Sequence, residues 1–350
     1  MALTGPHRRS PRYVVAAAGV LAALLLVEVV ARIEGPSVCA DAGGILLQAD
    51  PEVGWTFTPG LHVTLDDCGG DAWRAPVAIN AQGLADQPWP YEKRTGDVRV
   101  LLLGNHLADG LGVAREDRLS VRIAHLADQT RGRRLSVVNA TIPGYATGNQ
   151  LLWLEKRGLR YSPDVVVLVL DPTRDLAANL RPPTPRPAEL DLAPASGLLA
   201  LSGAARWLAG HPGVTPASPV SVDEPRPIAN ADETERALEA TRRQIARLAE
   251  TSRAAGASFA VLVAPPCPVP TADPTDGQSL CDAISDIAPC SDPSPTFDGL
   301  RSTATRPLEL CHDSLGRWGR DAHFLASHAL WDLLIRAELW PDGVVRGHRL

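Results

Sequence analysis

The chain has 350 residues, 45% of them hydrophobic and 21% charged, with a formal net charge of −6. That length and apolar content suffice for a full core. The acidic balance provides no basic footprint, so nucleic-acid binding is set aside.

Residues 13–33 are almost wholly apolar, with only Glu28 and Arg32 charged, and their length matches what a ~30 Å hydrocarbon core requires. Arg8, Arg9 and Arg12 precede them. The positive-inside bias then predicts a single-pass signal anchor, with residues 1–12 cytoplasmic and the rest exported to the outer side of the cell membrane. A cleaved signal peptide is the competing reading, because Val38-Cys39-Ala40 resembles a small-residue cleavage site. Val38 also stands where lipoprotein processing at Cys39 would need a smaller side chain. Glu28, close to the outer end of the span, reads as a boundary residue.

All six cysteines, Cys39, Cys68, Cys267, Cys281, Cys290 and Cys311, follow the span. An even count on the oxidising side predicts disulfides. Sequence neighbourhood pairs Cys39 with Cys68 and leaves the other four to pair among themselves. No Cys-x-x-Cys spacing is present, so no structural zinc is expected at the thiols.

Residues 34–96 form an extracytoplasmic lead-in. Within it, Asp50 to Gly60 and Ala78 to Leu84 read as short extended pieces broken by Pro and Gly. From residue 97 to the end the pattern alternates. Val98 to Leu103, Ser136 to Asn139, Asp164 to Leu170 and Ser258 to Val263 are apolar, β-branched-rich runs suited to strands buried on both faces. Arg118 to Gln129, Gly148 to Arg157 and Asp232 to Ala255 read as helices, the last opening on a capping-box-like Asp232-Glu-Thr-Glu235. This alternation predicts an α/β fold built on a doubly wound parallel sheet. Two Pro-rich excursions, 181–227 and 265–310, interrupt it; the first holds one helix-like piece near 197–209. Both would leave the carboxyl ends of strands, where open α/β sheets bind ligands.

Four blocks carry a family resemblance. Val98 to Val113 runs Val-Arg-Val-Leu-Leu-Leu-Gly-Asn-His-Leu-Ala-Asp-Gly-Leu-Gly-Val, an apolar strand entering Gly104-Asn105-His106 and then a Gly-Leu-Gly-Val turn. Val138 to Tyr145 ends on Pro-Gly144-Tyr. The strand 165–170 leads into Asp171-Pro-Thr-Arg174-Asp175, and Asp321-Ala-His323-Phe precedes a terminal helix placed at Ala326 to Trp340. Together with a lead-in containing Asp50-Pro-Glu-Val-Gly-Trp and Ala78-Ile-Asn-Ala-Gln-Gly-Leu, these blocks resemble the SGNH (GDSL) hydrolases, including their membrane-anchored members. The resemblance spans nearly the whole exported chain, and it implies a flavodoxin-like sheet with the site at its carboxyl edge.

In that family the blocks supply a serine nucleophile, a glycine amide, an asparagine amide, and an aspartate with a histidine base; the chemistry needs an activated hydroxyl and donors aimed at the oxyanion. Here the resemblance puts His106 at the nucleophile position and Asn105 where a carboxylate is usual. It puts Gly144 at one oxyanion donor and Arg174 at the other. Asp321 and His323 would be the retained orienting acid and base. An acyl-imidazole is labile and the ring is bulky, so serine esterase chemistry should be lost or crippled. Arg174 beside two imidazoles would make a standing cationic pocket suited to a carboxylate, sulfate or phosphate group. A metal held by His106, His323 and Asp321 is a sharper alternative, opposed by the charge of Arg174; no metal and no cofactor is expected. Asp109, His312 and Asp313 read as solvated loop residues. Two functions stay open: a degenerate hydrolase acting as a binding or accessory module at the cell envelope, with acylated or anionic glycans as ligands, or an esterase or O-acyltransferase using a replacement nucleophile.

Overall fold

In this computed structural model the described residues are 11–34, 37–39, 46–66, 74–131, 134–181, 226–265, 267, 277–312 and 316–340. Helix α1 (Pro11–Glu34) contains an 18-residue stretch, Tyr13–Val30, of mean hydropathy 2.5, and none of that stretch is buried against the rest of the protein. It is long and apolar enough to cross a membrane. Its Val and Leu side chains are more than half exposed at most positions.

The lead-in folds into two small sheets. Strands β2 (Leu47–Asp50) and β3 (Gly54–Phe57) form an antiparallel hairpin, while β4 (His62–Asp66) pairs antiparallel with β5 (Arg74–Ala78) and parallel with β1 (Ser37–Cys39). Asp50 shapes the hairpin turn by accepting from the Glu52 and Val53 amides at 3.0 and 3.1 Å. Sequence division at residue 96 misses one fact: Phe57, Leu65, Val77 and Ile79 share a single apolar cluster with Leu101 and Leu103 of the main sheet. The lead-in is part of the same core.

The main sheet is parallel throughout. Its order is β10-β9-β8-β6-β7, from β6 (Val98–Gly104), β7 (Leu135–Thr141), β8 (Val165–Leu170), β9 (Ser258–Val263) and β10 (Cys290–Ser291). Counting from β6, the chain first adds a strand on one side and then three on the other, the flavodoxin-like order whose switch point opens a crevice at the carboxyl ends of β6 and β8. Every residue of β6, β7 and β8 is buried. The pleat sends Leu101 and Leu103 to one face and Val98, Val100 and Leu102 to the other. The first face is covered by α3 (Thr147–Lys156), α5 (Ala231–Ala254) and the lead-in. The second is covered by α2 (Leu119–Arg131) and α8 (Arg320–Arg336).

Element boundaries differ from expectation in three places. Helix α5 is capped by Asn230, which accepts from Glu233 N at 2.9 Å while Glu233 accepts from Ala229 N at 2.8 Å. The capping box therefore lies two residues before the expected one. The excursion 265–310 is not bare loop: it contains α6 (Gly277–Ala283), the edge strand β10 and α7 (Ser294–Thr303). Finally, α8 starts at Arg320 and so contains the Asp-x-His block. Of the other excursion, residues 182–225, with the piece at 197–209, lie outside the described residues.

Cysteines Cys281 and Cys290 form one disulfide and Cys267 and Cys311 another, which is the expected pairing of the last four among themselves. The expected Cys39 to Cys68 bridge involves Cys68, which lies outside the described residues.

Candidate functional site at the carboxyl edge of the sheet

Strand β6 ends on Gly104, where a Cβ would meet Val169 O and the Thr141 methyl, both at 3.1 Å. The absence of a side chain lets the three central strands stay close to their ends. Asn105 follows, buried, and both hydrogens of its amide are engaged: Nδ2 donates to Asp171 Oδ2 at 3.3 Å and to Asp175 Oδ1 at 3.2 Å. Its Oδ1 accepts from Leu107 N at 3.0 Å. The Asn105 amide is thus engaged with the two aspartates and a backbone amide. Its amide also makes physical sense of the missing carboxylate, since a third acid between Asp171 and Asp175 would meet two neighbours of like charge.

Those two aspartates were not singled out from the sequence. Asp171 caps α4 (Pro172–Ala178), accepting at Oδ1 from Thr173 N (3.0 Å) and Arg174 N (3.2 Å), with Pro172 in the first helical turn. Asp175 Oδ2 accepts from Asp171 N at 3.0 Å. Burial raises the pKa of Asp171; burial, followed by the charge of Asp171, raises that of Asp175 well above the ordinary carboxylate value. The pair thus holds a proton in conditions where free aspartate is ionised. Arg174, half-buried in the first turn of α4, opposes this rise at both groups. Its charge serves the acid pair, which tempers the expectation of a cationic pocket. The available signal was the helix-start pattern Asp-Pro-x-x-Asp.

His106 is buried at 6% exposure beside Asn105. Gly144 occupies a tight turn with φ +79°, a conformation that favours glycine. The lead-in clamps that turn: Trp55 Nε1 donates to Pro143 O at 2.9 Å, and Tyr145 Oη donates to Trp55 O at 2.6 Å.

Asp109 is a correction. Expected in solvent, it is 1% exposed and forms a buried ion pair with Arg317 (Nε to Oδ2, 3.3 Å), and its Oδ1 accepts from Leu111 N at 2.8 Å. Asn139 Nδ2 adds a donor to Asp109 O at 3.3 Å. No sequence signal pointed to Arg317, which reaches Asp109 from 208 positions away. Trp318 reinforces the junction, its N donating to Leu107 O at 3.3 Å and its Nε1 to Pro265 O at 3.0 Å. His312 is half-buried and its N donates to Arg317 O at 2.8 Å; Asp313 lies outside the described residues.

The expected base and orienting acid are not partners. Asp321 faces outward, accepting from Arg306 Nη1 and Nη2 at 2.9 and 2.7 Å and from Glu309 N at 2.9 Å. The Arg306 guanidinium holds its carboxyl below the usual range. His323 faces inward with no exposure, its ring edge-on to Trp318 at 5.9 Å, and its Nδ1 accepts from Leu119 N at 3.2 Å. Leu119 is the first residue of α2, so the imidazole satisfies an otherwise orphaned helix amide. Burial, helped by the charges of Arg118 and Arg122, pulls its pKa down to about 3. A neutral ring whose Nδ1 is the acceptor carries its proton on Nε2, so His323 presents no basic lone pair to a substrate. Residues i and i+2 of a helix point to different sides, which is why Asp321 and His323 diverge once α8 includes both. The metal trio of His106, His323 and Asp321 is dispersed for the same reason, and among the described residues no group of three His, Cys, Asp or Glu side chains is placed to hold an ion.

No family model and no curated protein matches the chain. Solved structures similar to it include the psychrotrophic esterase EstA from Pseudoalteromonas sp. (15% identity, TM-score 0.40, covering 69% of this chain and 98% of that one). The acetylxylan esterase Axe2 from Geobacillus stearothermophilus is similar at 13% identity and TM-score 0.40, over 68% of this chain and 94% of that one. A GDSL-like lipase from Bacteroides thetaiotaomicron is similar at 14% identity and TM-score 0.35, over 68% and 88%. Likeness at this level carries no activity with it.

Proposed function

We propose that this chain is a membrane-anchored, extracytoplasmic SGNH/GDSL-like protein without serine hydrolase chemistry, acting as a binding or accessory module at the cell envelope. The observation that carries the reading is the engagement of each would-be catalytic group elsewhere. His106 replaces the hydroxyl, Asn105 holds the Asp171–Asp175 pair, His323 caps α2, and Asp321 is tied to Arg306. An activated nucleophile needs a hydroxyl, a base with a free lone pair and an oriented acid, and none of the three is in place. The exposed apolar helix α1, the arginines before it and the disulfides after it support an anchor with the folded part on the oxidising side. An acylated or anionic envelope glycan remains the ligand class in keeping with the family resemblance.

The test is direct. Purified full-length protein should release no p-nitrophenol from short acyl esters above a buffer blank and should resist labelling by a fluorophosphonate. Ester turnover that disappears in His106→Ala would replace this reading with a relocated-nucleophile enzyme.

A further inference from the structure

We propose that the Cys267–Cys311 disulfide is a thiol-exchange site, opened by small thiols that attack at Cys311, and that its opening loosens the segment holding Asp109 on the loop after His106. The two bridges among the described residues differ in access. Cys311 is exposed and Cys267 half-buried against the core, whereas Cys281 is 7% exposed and its partner Cys290 is half-buried. Cys311 also lines a hollow of about 430 Å³, together with Leu308 and Leu310, within the ~300–1,000 Å³ range of small-molecule sites. The charged groups lining it are the guanidinia of Arg301 and Arg306, the second already paired with Asp321. No carboxylate in that lining repels an incoming thiolate.

Exchange depends on access to the sulfur attacked and on how readily the other sulfur leaves. A thiolate attacking Cys311 Sγ forms a mixed disulfide there and expels Cys267 as a thiolate, which takes up a proton. A second thiolate then attacks the outer sulfur of the mixed disulfide, releasing the oxidised thiol pair and the Cys311 thiolate. Two electrons pass from the small thiols to the bridge, and no other reductant is needed.

The bridge closes a clamp on the site loop. Cys311 pairs antiparallel with Trp318, and His312 N donates to Arg317 O at 2.8 Å, so residues 311 and 312 hold 317 and 318 across a short turn. Gly316 lies against the other end of the bridge: a Cβ there would come within 1.9 Å of Cys267 O. Held in this way, Arg317 reaches Asp109, and Trp318 N reaches Leu107 O. Both partners stand on the loop that follows His106. Opening the bridge releases a closure of 44 positions, whose ordering entropy then falls on the noncovalent contacts alone. The assignment does not depend on the binding role proposed above, and its failure would leave that reading untouched.

The test uses full-length protein in lipid nanodiscs, with reduced glutathione as the thiol and differential alkylation followed by peptide mass spectrometry to read each cysteine. Cys267 and Cys311 should open about tenfold faster than Cys281 and Cys290, with the early glutathione adduct on Cys311. Leu308→Trp, which fills the hollow, should slow that opening about threefold. Hydrogen exchange of the backbone amides of residues 105–111 should rise as the bridge opens and fall again when oxidised glutathione closes it. The paired Cys267→Ser and Cys311→Ser variant should show the raised exchange without added thiol. Thermal unfolding checks each fold, and if the paired variant does not fold, amide exchange of wild type with and without glutathione decides. Equal opening of the two bridges, an adduct on Cys267, unslowed opening in a folded Leu308→Trp, or unchanged amide exchange once Cys267 and Cys311 are reduced would each overturn the assignment.

Discussion

His323 decides between a catalytic and a structural reading of the last block, and pH separates the two. Its pKa is about 3 when folded, against 6.5 for an unperturbed histidine. A depressed histidine contributes stability that is present above pH 6.5 and is lost as pH falls, because the unfolded chain takes up a proton that the folded one refuses. Between 6.5 and 3 the loss is about 1.4 kcal/mol per pH unit. From pH 8 to pH 5 this single group should therefore destabilise the protein by about 2 kcal/mol. Replacement with glutamine removes the titration while retaining an acceptor near Leu119 N. Urea unfolding of detergent-solubilised full-length protein at the two pH values, for wild type and His323→Gln, measures the difference. The variant should be less stable at pH 8, by about 1 kcal/mol for a weakened cap, yet should lose about 2 kcal/mol less than wild type on going to pH 5. An accessible catalytic imidazole would titrate near its ordinary value in both states. Equal pH dependence in the two proteins, or a His323 ring resonance titrating near 6.5, would refute the capping role.

Three further outcomes follow from other parts of the site. The raised pKa of Asp175 has the opposite sign: its protonated form is favoured by folding, so stability is lost as pH rises from the unfolded toward the folded value, and Asp175→Asn should lose less stability than wild type between pH 5 and pH 8 in urea unfolding. His106→Ser, alone or with Arg174→Asn, should yield no esterase activity by p-nitrophenyl ester assay, because a positioned base typically supplies ~10²–10⁴-fold and no lone pair at His323 is free to act as one. Opening the Cys267–Cys311 bridge, which spans 44 positions, should lower stability by about 4 kcal/mol, against about 3 for the Cys281–Cys290 bridge spanning 9, as read from denaturation of the paired Cys→Ser variants.

The strands were legible because a parallel sheet buried on both faces leaves a nearly continuous apolar run, and 100–103, 165–170 and 259–263 are such runs. The sheet edge where a site would lie was legible for a related reason, since Gly104 and Gly144 mark close approach and a tight turn. Side-chain partnerships were not. Block order fixes where a residue enters the fold, but not which neighbour it meets: Asp109 meets Arg317 across 208 positions, and two residues of spacing separate Asp321 from His323 onto different sides of one helix. Reading that spacing as a dyad assumed that the block precedes the helix, whereas Gly319 starts it and Arg320 already belongs to it. The consequence reaches beyond assignment. If only the nucleophile had changed, one substitution would separate this chain from a working hydrolase. With Asn105 set between two acids, His323 capping α2 and Asp321 engaged with Arg306, building a triad here would mean undoing three contacts that belong to the fold, and each change would remove stability before it added any chemistry.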